Sequence, residues 1–290
     1  MAEQLHSLTM PKWKYRFRRC EMTPFFSIIV VCLNPGEKLL QTLQSIQKQE
    51  FRDYEIVLKD GGSTDGSLQK LDPEQSGLHV VTKPDRGIYD AMNQAVEEAK
   101  GRFVFFLNCG DWFMDEQVLA DMHDRIAGHE QTGTERSAIY YGNVYERVTG
   151  QLVSSNPKLN AFGCYRNVPC HQACFYEREL LLRHPFQLEY RVRADYEQFL
   201  WCFFEAKANP FYTGITVADY EGGGFSETKK NLAVSKEEHR EIVQKYMSFG
   251  QRFTYRLILC LTLAPLRTRI SKNEKTAALY NRLKAALYRR

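Results

Sequence analysis

The sequence predicts an α/β fold: a doubly wound, mostly parallel sheet with a helical, basic C-terminal extension. Three observations carry that prediction. In the first 115 residues, short apolar runs alternate with stretches of helical periodicity. Polar residues follow each apolar run in turn. Positive charge is gathered at one end: residues 251–290 hold ten Lys/Arg and one Glu, a net of +9. The whole chain is +4, so the other 250 residues carry −5.

The elements follow in order. "FFSIIVVCL" from Phe25 is a buried strand, and "EKLLQTLQSIQKQ" is a helix with Leu39, Leu40, Leu43 and Ile46 on one face. "YEIVLKD" from Tyr54 is a second strand, ending in the turn "GGSTDGS", with a short helix expected from about Ser67. "LHVVTKP" is a third strand. "GIYDAMNQAVEEAKG" is a helix carrying Ile88, Met92, Ala95, Val96 and Ala99 at helical spacing, with Gly101 expected as its C-terminal cap. "FVFFLN" is the fourth strand. After residue 115 the pattern loosens. A helix is expected near 115–127, an antiparallel strand at "AIYYGNVYERV", and a strand running into a helix at "HQACFYERELL". The next helix is "ADYEQFLWCFFEA", with Tyr196, Phe199, Leu200 and Phe203 inward. A glycine-rich mobile loop is expected at "EGGGFS", then mostly helix over 233–290. The divisions are an arm (1–24), a main domain (25–230, halves 25–115 and 116–230) and an extension (231–290).

Composition narrows the classes. The chain has 290 residues, 43% of them hydrophobic, enough for one large domain with an appendage. Its eight cysteines are scattered, and no pair has C-x-x-C spacing. The group Cys164, Cys170, His171 and Cys174 is too irregular for an ordinary zinc site. A reducing cytosol fits this usage. Residues 1–24 lack an apolar core, and no run of 18 apolar residues occurs, so neither a secretory signal nor a membrane span is expected.

In a parallel sheet, ligands bind outside the carboxyl ends of the strands. Asn34 follows the first strand, Asp60 and Asp65 the second, Asp85 and Arg86 the third, with Asp90 one turn into the next helix, and Asn108 and Asp111 the fourth. Acids converging on one rim repel one another unless a ligand or cation is held there. Each also has a structural reading: Asp65 as a turn former, Asp90 as a first-turn helix acid. No GxxxxGK[ST] occurs, and no GxGxxG follows the first strand, so neither a P-loop nor an ordinary dinucleotide fold is indicated.

The stretches "SIIVVCLN", "YEIVLKDGGSTDGS", "KPDRGIYDAMNQAVEEAKGRFVFFLNCGDWF", "VPCHQACFYERELL" and "RVRADYEQFLW", within residues 25–225, resemble the family-2 glycosyltransferases of the GT-A fold. The resemblance is strongest to the bacterial subset that builds exopolysaccharide and O-antigen, colanic-acid enzymes among them. It implies an inverting transfer from a nucleotide-sugar donor to a glycan on a polyprenyl diphosphate. By that resemblance Asp60 reads the base or ribose, and Asp85, Arg86, Asp90 and Asn93 line the donor pocket. "NCGD" falls where family members carry a metal-binding acidic motif. Here Asn108 and Gly110 depart from it and Asp111 is the only carboxylate, implied to hold Mg²⁺ or Mn²⁺. Asp195 resembles the catalytic base, although D-x-x-Q with Gln198 is also a helix capping box. His171 and Gln172 are implied at the donor–acceptor junction. Arg193 is a candidate for a diphosphate there, or a solvated arginine. The alternative to an enzyme is a catalytically inactive sugar-nucleotide binder or scaffold, which the thinned motif favours and Asp195 disfavours.

The ends suggest partners. "RFTYRLILCLTLAPLRTRI" has an apolar centre flanked by arginines, too short to span a bilayer but suited to lying on an anionic one. "PKWKYRFRR" near the start has similar character. The expectation is a cytoplasmic protein held at the inner face of the plasma membrane through residues 251–290. The alternative has that tail pack on the catalytic domain or on a second subunit of a homo-oligomer. No nucleic-acid partner is expected, because the basic residues sit in appendages.

Overall fold

Strand β1 (Phe26–Cys32) is apolar but for Ser27, and it lies at the centre of the parallel part of the sheet. It pairs in parallel with β2 (Tyr54–Asp60) and β4 (Phe103–Phe106), and β2 pairs in parallel with β3 (Leu78–Thr82). The structure, a computed structural model, describes residues 23–71, 77–132, 138–222 and 228–262. Further strands are β5 (Trp112–Phe113), β6 (Ile139–Glu146), β7 (Gln151–Val153), β8 (Cys174–Glu177) and β9 (Pro210–Tyr220). They extend one sheet in the order β3-β2-β1-β4-β8-β6-β9-β5, with β7 paired to β6.

Alternation along β1 divides the core. Phe26, Ile28 and Val30 face α1 (Lys38–Gln47) and α3 (Val118–Gln131), whereas Ile29 and Val31 face α2 (Ile88–Glu98). Each sheet face is therefore covered by helices, as a parallel sheet requires. The second face also receives α5 (Arg178–Arg183), α6 (Ala194–Phe204) and α7 (Lys229–Tyr246). A short helix, α4 (Ala161–Arg166), lies between β7 and β8 in the chain, and α8 (Phe249–Leu261) ends the described residues.

Several expectations change. The second half of the sheet is mixed: β6 is antiparallel to β7 and β8 but parallel to β9. Strand β9 has no counterpart in the sequence reading. Gly101 is not a helix cap; α2 ends at Glu98 and the chain leaves through extended Ala99. Gly101 instead lies against β1, where an added Cβ would meet the Ser27 amide nitrogen at 2.5 Å. The stretch assigned to the extension divides in two. Helix α7 buries Ile242 and Val243 in the main core, as does Met247 directly after it, whereas α8 buries no residue. Burying such a side chain contributes about 1.5–3 kcal/mol, so α7 is anchored as firmly as the sheet helices. Residues 1–22 of the arm, 223–227 of the glycine-rich loop and 263–290 of the tail lie outside the described residues.

Candidate active site

The first three strand ends are locked by their own loops. Asn34 has a left-handed φ of 51°, and its side-chain oxygen accepts from the Thr64 amide at 2.8 Å. Its amide donates to Ser63 Oγ at 2.8 Å, tying the first strand end to the second. Asp60 accepts from the amides of Gly62 at 3.1 Å and Ser63 at 3.0 Å, and from the Ser63 hydroxyl. Asp65 accepts from the Ser67 hydroxyl at 2.6 Å and the Gly36 amide at 2.8 Å, as its turn-forming role requires. Asp90 accepts from the Arg86 amide at 2.9 Å and guanidinium at 3.1 Å, which holds its carboxyl below the usual aspartate range. Asn93 turns toward α5's exit and exchanges two hydrogen bonds with the Phe186 backbone at 2.8 and 2.9 Å, which leaves its amide one N–H and one lone pair.

Lys59, which the sequence reading passed over, organises this rim. It is fully buried, and its ammonium donates to Asp85 Oδ2 at 3.0 Å and to the carbonyls of Lys83 at 2.6 Å and Asp60 at 3.0 Å. A lysine inside an apolar strand was the available signal, since such a charge is buried only when paired.

The loop after β4 is built differently. Gly110 has φ 98°, in the left-handed region that favours glycine, and an added Cβ would lie 3.0 Å from Lys38. Thr42 of α1 accepts from the Gly110 amide and donates to the Asp111 carbonyl, each at 2.8 Å. Asp111 is 7% exposed. Its Oδ1 accepts from the Glu221 amide at 2.7 Å and lies 3.4 Å from Arg147, while its Oδ2 accepts from Gln172. Burial pushes this carboxyl up, and those donors only partly offset the rise. Arg147, also unforeseen, stacks on Trp112 at 3.6 Å, donates to the Gly110 carbonyl at 2.7 Å and reaches Asp219 at 3.3 Å.

The start of α6 and the 3₁₀ turn at His171 converge on the same loop. Asp195 lies in the first turn of α6. Its Oδ1 accepts from the Tyr196 amide at 2.9 Å and from the Tyr89 hydroxyl at 3.1 Å. Its Oδ2 faces His171 Nδ1 at 3.5 Å, and the two side chains are 29% and 22% exposed. Burial raises this carboxyl, but His171, the Tyr196 amide and Arg193 outweigh it and hold it below the usual range. Tyr89 is pushed well above the ordinary phenol by burial and the Asp195 charge, so its proton stays on the bond. The capping box does not form: Gln198 turns to Cys202, and α6 has no side-chain cap of its own. Glu238 of α7 accepts instead from the amides of Arg191, Val192 and Arg193 at 2.7, 3.0 and 2.9 Å. Arg193 donates to Ser235 at 2.8 Å and to Asn167 at 3.3 Å, two of its five N–H donors. Adjacent His171 and Gln172, on one 3₁₀ turn, therefore address two carboxylates, Asp195 and Asp111.

The hydrogen bonds of Asp111 decide how much of it is left for a metal. An ionised carboxylate offers about four lone-pair positions. The Glu221 amide, Arg147 and Gln172 take three, leaving one on Oδ2. Among the described residues no group of three or more His, Cys, Asp or Glu is placed to hold a metal. The residues fit an ion that takes one protein oxygen and fills its sphere with water and phosphate, a habit of Mg²⁺, and not an all-protein cage.

Comparison with known proteins agrees with this geometry. The family model described as Glycosyl transferase family 2 matches residues 27–182. A PGL/p-HBAD biosynthesis glycosyltransferase of Mycobacterium bovis is 35% identical over 246 residues, covering 82% of this chain and 90% of that protein. Staphylococcus aureus TarS 1–349, solved with UDP-GlcNAc, superposes with a TM-score of 0.62 at 20% identity, over 79% of this chain and 70% of that one. The mannosyltransferase PcManGT of Pyrobaculum calidifontis, solved with GDP-Man and Mn²⁺, gives 0.52 at 13% identity, over 89% and 83%. The fold is thus of the GT-A type.

Proposed function

The chain belongs to glycosyltransferase family 2, and from that premise we propose that it is an inverting transferase. It moves a sugar from a nucleotide donor to a glycan carried on a polyprenyl diphosphate, at the inner face of a bacterial plasma membrane. The role in cell-surface polysaccharide assembly, of the exopolysaccharide, O-antigen or colanic-acid kind, belongs to the same proposal. The sugar nucleotides named for two structural relatives support the donor class.

One observation carries the mechanism: Asp195 keeps one oxygen committed and presents the other, partly exposed, beside His171. In a single displacement the acceptor oxygen bonds to the anomeric carbon as the bond to the diphosphate breaks. The nucleoside diphosphate leaves with the electron pair, and the acceptor proton passes to Asp195. Asp111 would hold Mg²⁺ or Mn²⁺, which offsets the charge gathering on that diphosphate. Asn34, Asp60, Asp85, Arg86 and Gly110 form the rim that receives the donor. A thermal-shift screen of UDP-, GDP- and dTDP-sugars with Mg²⁺ or Mn²⁺ finds the nucleotide, because a ligand of the native state raises its stability. With that donor, Asp195→Asn should abolish transfer while binding survives; undiminished turnover would sink the role.

Helix α8 supports the membrane part. Phe249, Phe253, Leu257 and Leu261 form a four-residue-spaced stripe, 76%, 61%, 49% and 74% exposed, beside Arg252 and Arg256. Among the described residues no helix is long and apolar enough to cross a membrane. Flotation with phosphatidylglycerol vesicles should carry the full chain and leave behind a chain lacking 251–290.

A further inference from the structure

Asn108 stands where the resembled family carries an acid, and its side chain addresses the base instead of the donor. Its Nδ2 lies 3.1 Å from His171 Nε2. Its Oδ1 is buried with no hydrogen-bond partner among the described residues, so the contact with His171 is the amide's one anchor there. An amide nitrogen can only donate. With the amide nitrogen turned to the ring, His171 Nε2 is assigned as the acceptor and the ring proton to Nδ1. That nitrogen is the one facing Asp195 Oδ2, at 3.5 Å. The three side chains form a line from the end of β4, through the 3₁₀ turn, to the first turn of α6.

We propose that Asn108 and His171 are positioning residues for Asp195, the amide at 108 holding the imidazole as the neutral Nδ1–H form that aims Asp195. The inference rests on Asp195 being the base. It gives a physical reason for the departure from the acidic motif. An ionised carboxylate at 108 accepts only, so it would demand a proton on Nε2. The ring would then either turn a lone pair on Asp195 or become an imidazolium between two acids, withdrawing Asp195 into an ion pair. The line also sets the base relative to the diphosphate end of the site, because Gln172, the neighbour of His171, holds Asp111. Outer-shell partners that fix a ring's tautomer commonly matter about 10- to 100-fold in activity.

The test uses the full chain labelled with ¹⁵N-histidine, the His171 signals being assigned by their loss in His171→Gln. The wild type should show a neutral ring protonated on Nδ1, and Asn108→Asp should move the proton to Nε2 or onto both nitrogens. With water as acceptor and the donor that gives the largest thermal shift, Asn108→Asp and His171→Gln should each lower kcat about 10- to 100-fold. Donor Kd should stay within about twofold. Asn108→Ser, which can still donate, should recover part of the loss. An Nε2–H ring in the wild type would overturn the inference, as would unchanged kcat in both variants while Asp195→Asn is inactive. If Asp195→Asn itself turns over normally, the base assignment fails first, and the ring spectrum still decides the geometry.

Discussion

The proposed donor rim and the proposed acceptor rim, which meet at Asp111, are both lined with carboxylates, but these are held in different ways. On the donor side, Asp60, Asp65 and Asp90 find partners three, two and four residues away. Where the two rims meet, Asp111 is held by residues 110, 61 and 36 positions distant, and beyond it Asp195 is held by Tyr89, 106 positions away, as well as by the neighbouring Tyr196 amide. Locally tied acids shape loops that any chain with that turn can make. Acids tied at long range exist only once the whole sheet has closed, and those two stand nearest the proposed chemistry. Glu238 extends the lesson to α7, which the sequence reading set outside the catalytic domain.

The largest effect tests the acceptor rim. Asp195→Asn should cut transfer by about 10²- to 10⁴-fold, the usual worth of a general base, with donor affinity kept in calorimetry. Next comes the donor rim's buried ion pair, between Lys59 and Asp85. Lys59→Met strands Asp85 without its buried partner and should cost about 3–5 kcal/mol, read from the urea midpoint; a smaller loss would show that the rim is held by its turns alone. Glu238→Gln keeps the shape but turns a donor toward three amides. About 1–3 kcal/mol is expected, with kcat falling more than donor affinity because the start of α6 loosens.

The smallest effect belongs to the local ties. Asp90→Asn should cost less than about 1 kcal/mol, since Arg86 is 77% exposed and its pair with Asp90 is screened. Its pH dependence has a definite sign. Arg86 holds the folded carboxyl below the ordinary aspartate value. The contribution is therefore present above that ordinary value and lost as pH falls through the folded one. Thermal melts against pH should show a slightly shallower acid limb in the Asn variant. An equal effect from Asp90→Asn and Lys59→Met would erase the contrast between local and distant ties.

The parallel half was legible because its signals are local. Apolar runs with helix-periodic spacers specify β1 to β4 and α1 to α3, and "GGSTDGS" announces its own turn chemistry. The strand-end rule then places Asp60, Asp85 and Asp111 on one edge without any knowledge of contacts. Strand β9 was not legible: "PFYTGITVADY" has weak alternation and a glycine at φ 80°, and its pairing with β6 passes through register shifts. Arg147 and Glu221 reach Asp111 only because β6 and β9 run side by side to their ends. Gly101 misled for a related reason, since a glycine three residues past a helix looks like a cap until the neighbouring strand is known.

Periodicity and the order of the elements established the α/β class, the strand-end rule pointed to one edge of the sheet and to Asp111, and the family resemblance pointed to Asp195. Those are properties of short windows, governed by backbone sterics and apolar burial. What each acid is bonded to was settled by the folded sheet. Asp111 keeps one lone pair because Gln172, Glu221 and Arg147 take the others, and Asp195 is aimed by Tyr89 and His171. Hydrogen bonds act over about 3 Å of space and are indifferent to separation along the chain, so these roles appear only when strands distant in sequence lie next to one another.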